Sequence, residues 1–144
     1  MGQYWIPVNL SKREFIYPHA LGCGLKLWEQ LANDPGTGAA LIILCAAMPE
    51  ARGGGDLEED PIVGRWAGDR IALVGDYAED GDLKDSPVPA SEIYKLCDSE
   101  GADPGAFTDI TPLVAAKIEK ELGGKYAGTG WKRWKDNEVE EDAS

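Results

Sequence analysis

The sequence predicts a small α+β fold, a mainly antiparallel sheet packed against an apolar central helix. Three observations predict it. Tyr4–Leu10 is apolar and β-prone, and after Ser11-Lys12-Arg13 a second β-prone run follows at Glu14–Tyr17, which is the pattern of a β-hairpin. Ala39–Met48 is an unbroken apolar run. It is far short of the roughly 20 residues of a membrane span and suits a helix buried on nearly every side. Strand-like runs elsewhere are joined by short local turns, which favours antiparallel pairing.

Taken in order, Pro18 should end the second strand, and Gly22-Cys23-Gly24 should turn the chain. Leu25, Trp28 and Leu31 share a helical face, predicting a short helix over Leu25–Leu31 that stops at Asn33-Asp34-Pro35-Gly36. Thr37 has the chemistry to cap the central helix, over Gly38–Met48. Arg52–Asp60 reads as a loop. Ile62–Trp66 and Arg70–Gly75 read as two strands joined by Ala67-Gly68-Asp69, and Asp76–Pro89 as an acidic loop. Ser91 should cap a helix to Asp98, and Gly101–Gly105 should turn. Thr111-Pro112 is a cap followed by a first-turn proline, opening a helix that runs to Leu122 before Gly123-Gly124. One domain over 1–135 and an acidic, disordered tail over 136–144 complete the expected organisation.

The 144 residues carry 14 Lys plus Arg against 26 Asp plus Glu, a net charge of −12. That excludes a general nucleic-acid binder, which needs clustered cations, and disfavours an anionic membrane surface. The acidity is uneven, with five bases and sixteen acids between residues 50 and 116. Three cysteines, Cys23, Cys45 and Cys97, make a poor disulfide framework. With no basic stretch and apolar core at the N-terminus, the chain is expected to be cytoplasmic with reduced thiols. His19 with the three cysteines lacks any CxxC pair, so no metal site is expected.

Several strings resemble a group of small uncharacterised proteins encoded by bacteriophages and bacteria. They are Gly2-Gln3-Tyr4-Trp5, Gly24-Leu25-Lys26-Leu27-Trp28-Glu29, and Trp66-Ala67-Gly68-Asp69 with the later Gly75-Asp76-Tyr77-Ala78. Members of that group similarly open with Met-Gly-Gln-Tyr-aromatic and carry Gly-Leu-Lys-Leu and a Trp before Gly-Asp-Tyr-Ala. The likeness covers the first 80 or so residues. It implies a phage or bacterial origin and brings no known activity.

Five stretches could carry chemistry. In Arg52-Gly53-Gly54-Gly55, consecutive backbone N–H groups and an arginine could hold phosphate. The loop follows a helix C-terminus, however, and no Walker lysine follows it, so a plain connector is the alternative. Arg65, Trp66 and Arg70, with Asp69, Asp76 and Tyr77, could form a pocket that stacks a base and binds phosphate. The alternative is that the arginines pair with neighbouring acids. The acids of 76–82 fail the EF-hand spacing, because Ala78 holds the third position and Pro87 the twelfth. Ile6 breaks the myristoylation pattern, and the Tyr4-Trp5 pair reads as strand packing. Trp131-Lys132-Arg133-Trp134-Lys135 mixes aromatics with cations beside an acidic tail, which suits a clamp onto the acidic middle or a docking tail.

The sequence therefore points to a non-catalytic protein that binds a nucleotide-like small ligand, with sequestration of a host signal as one role open to it. Arg52, Arg65 and Arg70 would hold phosphate, and Trp66 and Tyr77 would stack. No catalytic residue, cofactor or metal is assigned, and a homo-oligomer is left open. Two alternatives stand beside it. One is an acidic interaction or inhibitor protein that mimics nucleic acid and occupies a basic host protein. The other is a small nucleotide-acting hydrolase or transferase using Asp69, Asp76 or His19 as base.

Overall fold

The computed structural model describes residues 3–22, 24–32, 36–97 and 106–124. The expected α+β class is what the chain adopts: a four-stranded sheet in the order β3-β1-β2-β4 with helices packed against it.

The hairpin forms where the two β-prone runs place it. β1 is Trp5–Asn9 and β2 is Glu14–Phe15, antiparallel, with Val8 opposite Phe15 and Asn9 opposite Glu14. Its connection is closed by Asn9 Oδ1 accepting the Lys12 backbone N–H at 2.8 Å, a local bond that asparagine makes readily in turns. β2 is short for a covalent reason. The next bond past Phe15 runs from Ile16 N–H to Pro7 O (3.1 Å), and Pro7 has no N–H to return, so the ladder stops. β3 (Ile71–Gly75) lies antiparallel along the other side of β1, from Trp5 opposite Gly75 to Asn9 opposite Ile71. β4 (Thr108–Asp109) pairs parallel with β2. The sheet is thus mixed, through a strand too short to be read from periodicity.

Two cores result. Ile6, Val8, Phe15 and Val74 pack with Val88, Ile93 and Phe107 beneath α3 (Ala90–Leu96). Ile16 and Leu21 pack with Trp66 and with α2 (Gly36–Cys45) and α4 (Thr111–Gly124). The apolar run does form α2, but Ile42 is 66% exposed and Cys45 is also exposed. The helix is therefore open on one side and not buried all round.

Four other expectations are corrected. Ile62–Trp66 is not a strand. Its backbone makes successive short turns, with Val63 N–H on Asp60 O, Arg65 N–H on Ile62 O and Ala67 N–H on Gly64 O. The intervening N–H groups of Gly64 and Trp66 donate to the carbonyls of Ile43 and Leu44, each at 2.8 Å. Those carbonyls are left without intrahelical partners at the C-terminus of α2, and they are why this segment is pinned there. The Leu25–Leu31 helix shrinks to α1 (Glu29–Ala32), because Leu25 O accepts Trp5 N–H (2.8 Å) and Lys26 bridges Tyr4. Trp28 is left 78% exposed. Ser91 does not cap α3: the capping residue is Pro89, and the Ser91 hydroxyl donates to Asp80. Pro18 does not end β2 directly but opens a 3-10 helix, Pro18–Leu21. α4 starts at Thr111, whose N–H donates to Asp109 Oδ1 at 2.9 Å and whose Oγ1 accepts the Tyr17 N–H at 2.8 Å. The turn at 101–105, the Trp131–Lys135 stretch and the acidic tail lie outside the described residues, as does Cys23.

Candidate functional site

Trp66 and Arg65 are brought together, but around a carboxylate. Glu14, in β2, has a side chain only 7% exposed. Its Oε1 accepts the indole N–H of Trp66 at 2.9 Å, and both its oxygens accept Arg65 Nε, at 3.1 and 3.0 Å. Arg65 Nη2 adds a bond of 2.5 Å to Oε2. The indole itself is 1% exposed, so it cannot offer a face to a base. Its role is to fill the core between α2 and α4 while its polar edge meets Glu14. Hydrogen bonds to Glu14, the largest effect, raise the Arg65 pKa further. The clasp ties the 61–68 turns to the hairpin across some fifty residues of chain.

Asp69 extends this polar seam. Its Oδ2 accepts Asn9 Nδ2 at 2.8 Å and a bond from Lys12 Nζ. Hydrogen bonds from Lys12 and then Asn9 hold its carboxyl below the usual carboxylate range. Cys45 feels the same neighbourhood: partial burial, and then the Asp69 charge, push its thiol up. Burial pushes the Cys97 thiol up as well. Neither environment favours the thiolate a nucleophile needs.

The other expected ligand residues lie apart from the clasp. Arg70 turns its guanidinium onto the backbone carbonyls of Lys84 and Asp85 (2.6 Å to Asp85). Arg52 is exposed on its loop, 3.5 Å from Glu50, and its N–H and that of Gly53 donate to Asp56 Oδ2. The glycine loop thus closes on an aspartate of its own. Tyr77 is exposed just past the end of β3. The five-residue stacking pocket is therefore not assembled. The candidate bases do not converge either. Asp69 and Asp76 flank opposite ends of β3, and exposed His19 sits on the 3-10 helix with its ring 6.0 Å from that of Tyr17. Among the described residues no group of three or more His, Cys, Asp or Glu side chains could hold a metal ion.

One cation of the original set does line a concavity. A groove of about 350 Å³ runs between α4 and the 60–65 turns, lined by Asp60, Ile62, Arg65, Leu113, Lys117 and Lys120 among others. Arg65 enters it with a side chain 40% exposed. Lys117 is fully buried and fixed, its Nζ donating to Glu58 O at 2.8 Å and lying 3.5 Å from Glu121. Leu113, Lys117 and Lys120 recur at four- and three-residue spacing, which puts them on one face of α4. That spacing was the legible signal for this groove. Glu14 carried none, since its partners are distant in sequence.

Among the described residues no helix is long and apolar enough to cross a membrane. Compared with known proteins, the chain matches no family model, no curated protein and no solved structure.

Proposed function

We propose that the chain is a non-catalytic binding protein for a small anionic ligand of nucleotide-like character, seated in the groove between α4 and the 60–65 turns. One observation carries this: in a chain of net charge −12, three cations line a single concavity whose other walls are largely apolar. Small-molecule sites combine these ingredients, apolar walls with a few converging polar groups, at volumes from about 300 Å³ upward. Lys120 and the exposed part of Arg65 would take the phosphate, while Leu113 and Pro61 would cover the apolar part. Lys117, already fixed by Glu58 O and Glu121, adds positive potential more than a contact. The odd, sparse cysteines fit a reducing, cytoplasmic setting, and the strings shared with phage and bacterial proteins fit such an origin.

The test is calorimetric titration with a panel of nucleoside mono-, di- and triphosphates, on the wild-type chain and on Lys120→Glu. Saturable binding weakened at least tenfold by Lys120→Glu, with unchanged thermal stability, is expected. Absence of saturable binding at millimolar ligand rejects the proposal.

A second reading, an acidic protein that engages a basic partner, is favoured by a separate observation. Residues 76–92 hold six carboxylates against one lysine. Among the described residues none of the six is in an ion pair.

A further inference from the structure

The groove between α4 and the 60–65 turns has two ends, and different contacts fix each of them to the helix. At one end Arg65 is held by Glu14. Glu14 lies beside the start of α4: it is opposite Thr108 in the sheet, Phe15 O accepts the Ile110 N–H at 3.1 Å, and Thr111 Oγ1 accepts the Tyr17 N–H at 2.8 Å. At the other end the backbone of Glu58 is clamped further along the helix. Its N–H donates to Glu121 Oε1 at 2.7 Å, and its carbonyl accepts Lys117 Nζ at 2.8 Å. The 58–65 segment therefore runs antiparallel to α4. Arg65 lies toward the Leu113 end, Lys120 at the Glu58 end, and Asp60 between them. Leu113 and Lys120 both line the groove, and at the α-helical rise they are about 10 Å apart along the axis.

Both cations have donors to spare. Glu14 takes the Nε N–H of Arg65 and one N–H of Nη2, which leaves Nη1 and the outer N–H of Nη2 for a ligand. Lys120 is exposed, and among the described residues no carboxylate pairs with it. Its stem leans toward the N-terminus of α4, as helical side chains do, and so back over the groove. Asp60 sets a different requirement. Its Oδ1 accepts the Ile62 N–H at 3.0 Å, which fixes the carboxyl group, and among the described residues Oδ2 has no partner. A carboxylate accepts hydrogen bonds and repels phosphate, so the part of a ligand that faces it must bring O–H or N–H donors and no negative charge.

We infer that the ligand carries two phosphate-type groups on separate arms, one for Arg65 and one for Lys120, joined by a hydroxyl-bearing unit that donates to Asp60. This rests on the α4-groove reading above. It narrows the ligand from nucleotides in general to those phosphorylated on both sides of the sugar, such as a nucleoside 3′,5′-bisphosphate. The ribose of such a molecule lies between its phosphates, and its 2′-hydroxyl is the donor, a group that carboxylates take in other nucleotide sites. The base would lie against Leu113, whose side chain is 57% exposed.

The experiment is calorimetric titration of the full chain, free of divalent cations, with four compounds. They are adenosine 3′,5′-bisphosphate, its 2′-deoxy analogue, ATP, which carries comparable charge on one arm, and AMP. The bisphosphate should bind tighter than ATP by about tenfold or more, as a second charge-assisted contact allows. Loss of the 2′-hydroxyl should weaken it by about fivefold. In Lys120→Gln, at unchanged thermal stability, the advantage of the bisphosphate over AMP should disappear. Binding of ATP as tight as that of the bisphosphate overturns the two-armed ligand while leaving the anion-binding reading standing. An advantage that survives Lys120→Gln overturns the seating of the second phosphate, and equal binding of the deoxy analogue overturns the part given to Asp60. No saturable binding of any of the four at millimolar concentration overturns both this inference and the reading on which it rests.

Discussion

Replacing Glu14 by Ala should destabilise the fold, because it removes the acceptor at the centre of the clasp. The carboxylate is almost fully buried and accepts from Arg65 Nε, Arg65 Nη2 and Trp66 Nε1. Breaking a fully buried ion pair by deleting one partner costs roughly 3–5 kcal/mol. Arg65 is 40% exposed and regains water when Glu14 is lost, so its share falls toward the ~0–1 kcal/mol of surface pairs. The indole N–H has no such escape, and a buried donor without an acceptor costs roughly 1–3 kcal/mol. Together these give about 1–4 kcal/mol for Glu14→Ala. For a chain of this length that lowers Tm by roughly 3–16 °C, at about 3–4 °C per kcal/mol. Glu14→Gln keeps an acceptor for the indole and should cost about half as much. Urea unfolding followed by tryptophan fluorescence reads both, with an unchanged m-value confirming that only stability moved. A loss below about 0.5 kcal/mol for Glu14→Ala, the range of ordinary surface substitutions, would refute the argument that the clasp is structural.

Three further outcomes follow from other parts of the fold. Asp69 has a depressed folded-state pKa, so its stabilisation is present above the unfolded carboxylate value, near 4, and is lost as pH falls through the lower folded value. The stability gap between wild type and Asp69→Asn should therefore close as pH falls below about 4, as read by denaturation at successively lower pH. At Gly64, φ is +79° and a Cβ would sit 2.6 Å from Ala46 O, whereas Gly68, at φ +82°, has open space around it. Gly64→Ala should thus lower Tm clearly more than Gly68→Ala, whose cost is the left-handed backbone alone, roughly 1–2 kcal/mol. On α2, Ile42→Lys should change stability by less than about 0.5 kcal/mol, while Leu44→Ala, fully buried, should cost about 2–5 kcal/mol by the same unfolding assay.

The features legible in the sequence are those governed by local chemistry. The hairpin is visible as two β-prone runs around Ser11-Lys12-Arg13, α2 as an apolar run, and α4 as a Thr-Pro start with glycines at its end. The segment Ile62–Trp66 misled because Ile, Val and Trp are β-prone. What decides its shape is the pair of open carbonyls at the end of α2, which no local pattern announces. The same holds for the site. Trp66 and Arg65 do meet, but the group that joins them, Glu14, lies 51 residues from Arg65 and reads in sequence as an ordinary strand residue. Its burial turns a plausible stacking surface into a core contact. The groove that Arg65 does line depends on Lys117 and Lys120, whose helical spacing was readable but whose facing partner was not.

The most direct measurement of ligand binding is an amide NMR titration of the full chain with pyrophosphate, an anion with the phosphate chemistry of the proposed ligand and no base. Saturable shifts confined to residues 60–65 and 113–120, with the amides of 71–92 unmoved, are expected. Shifts that never saturate, or that centre on Arg52, Arg70 or Tyr77 in place of the α4 groove, would contradict it.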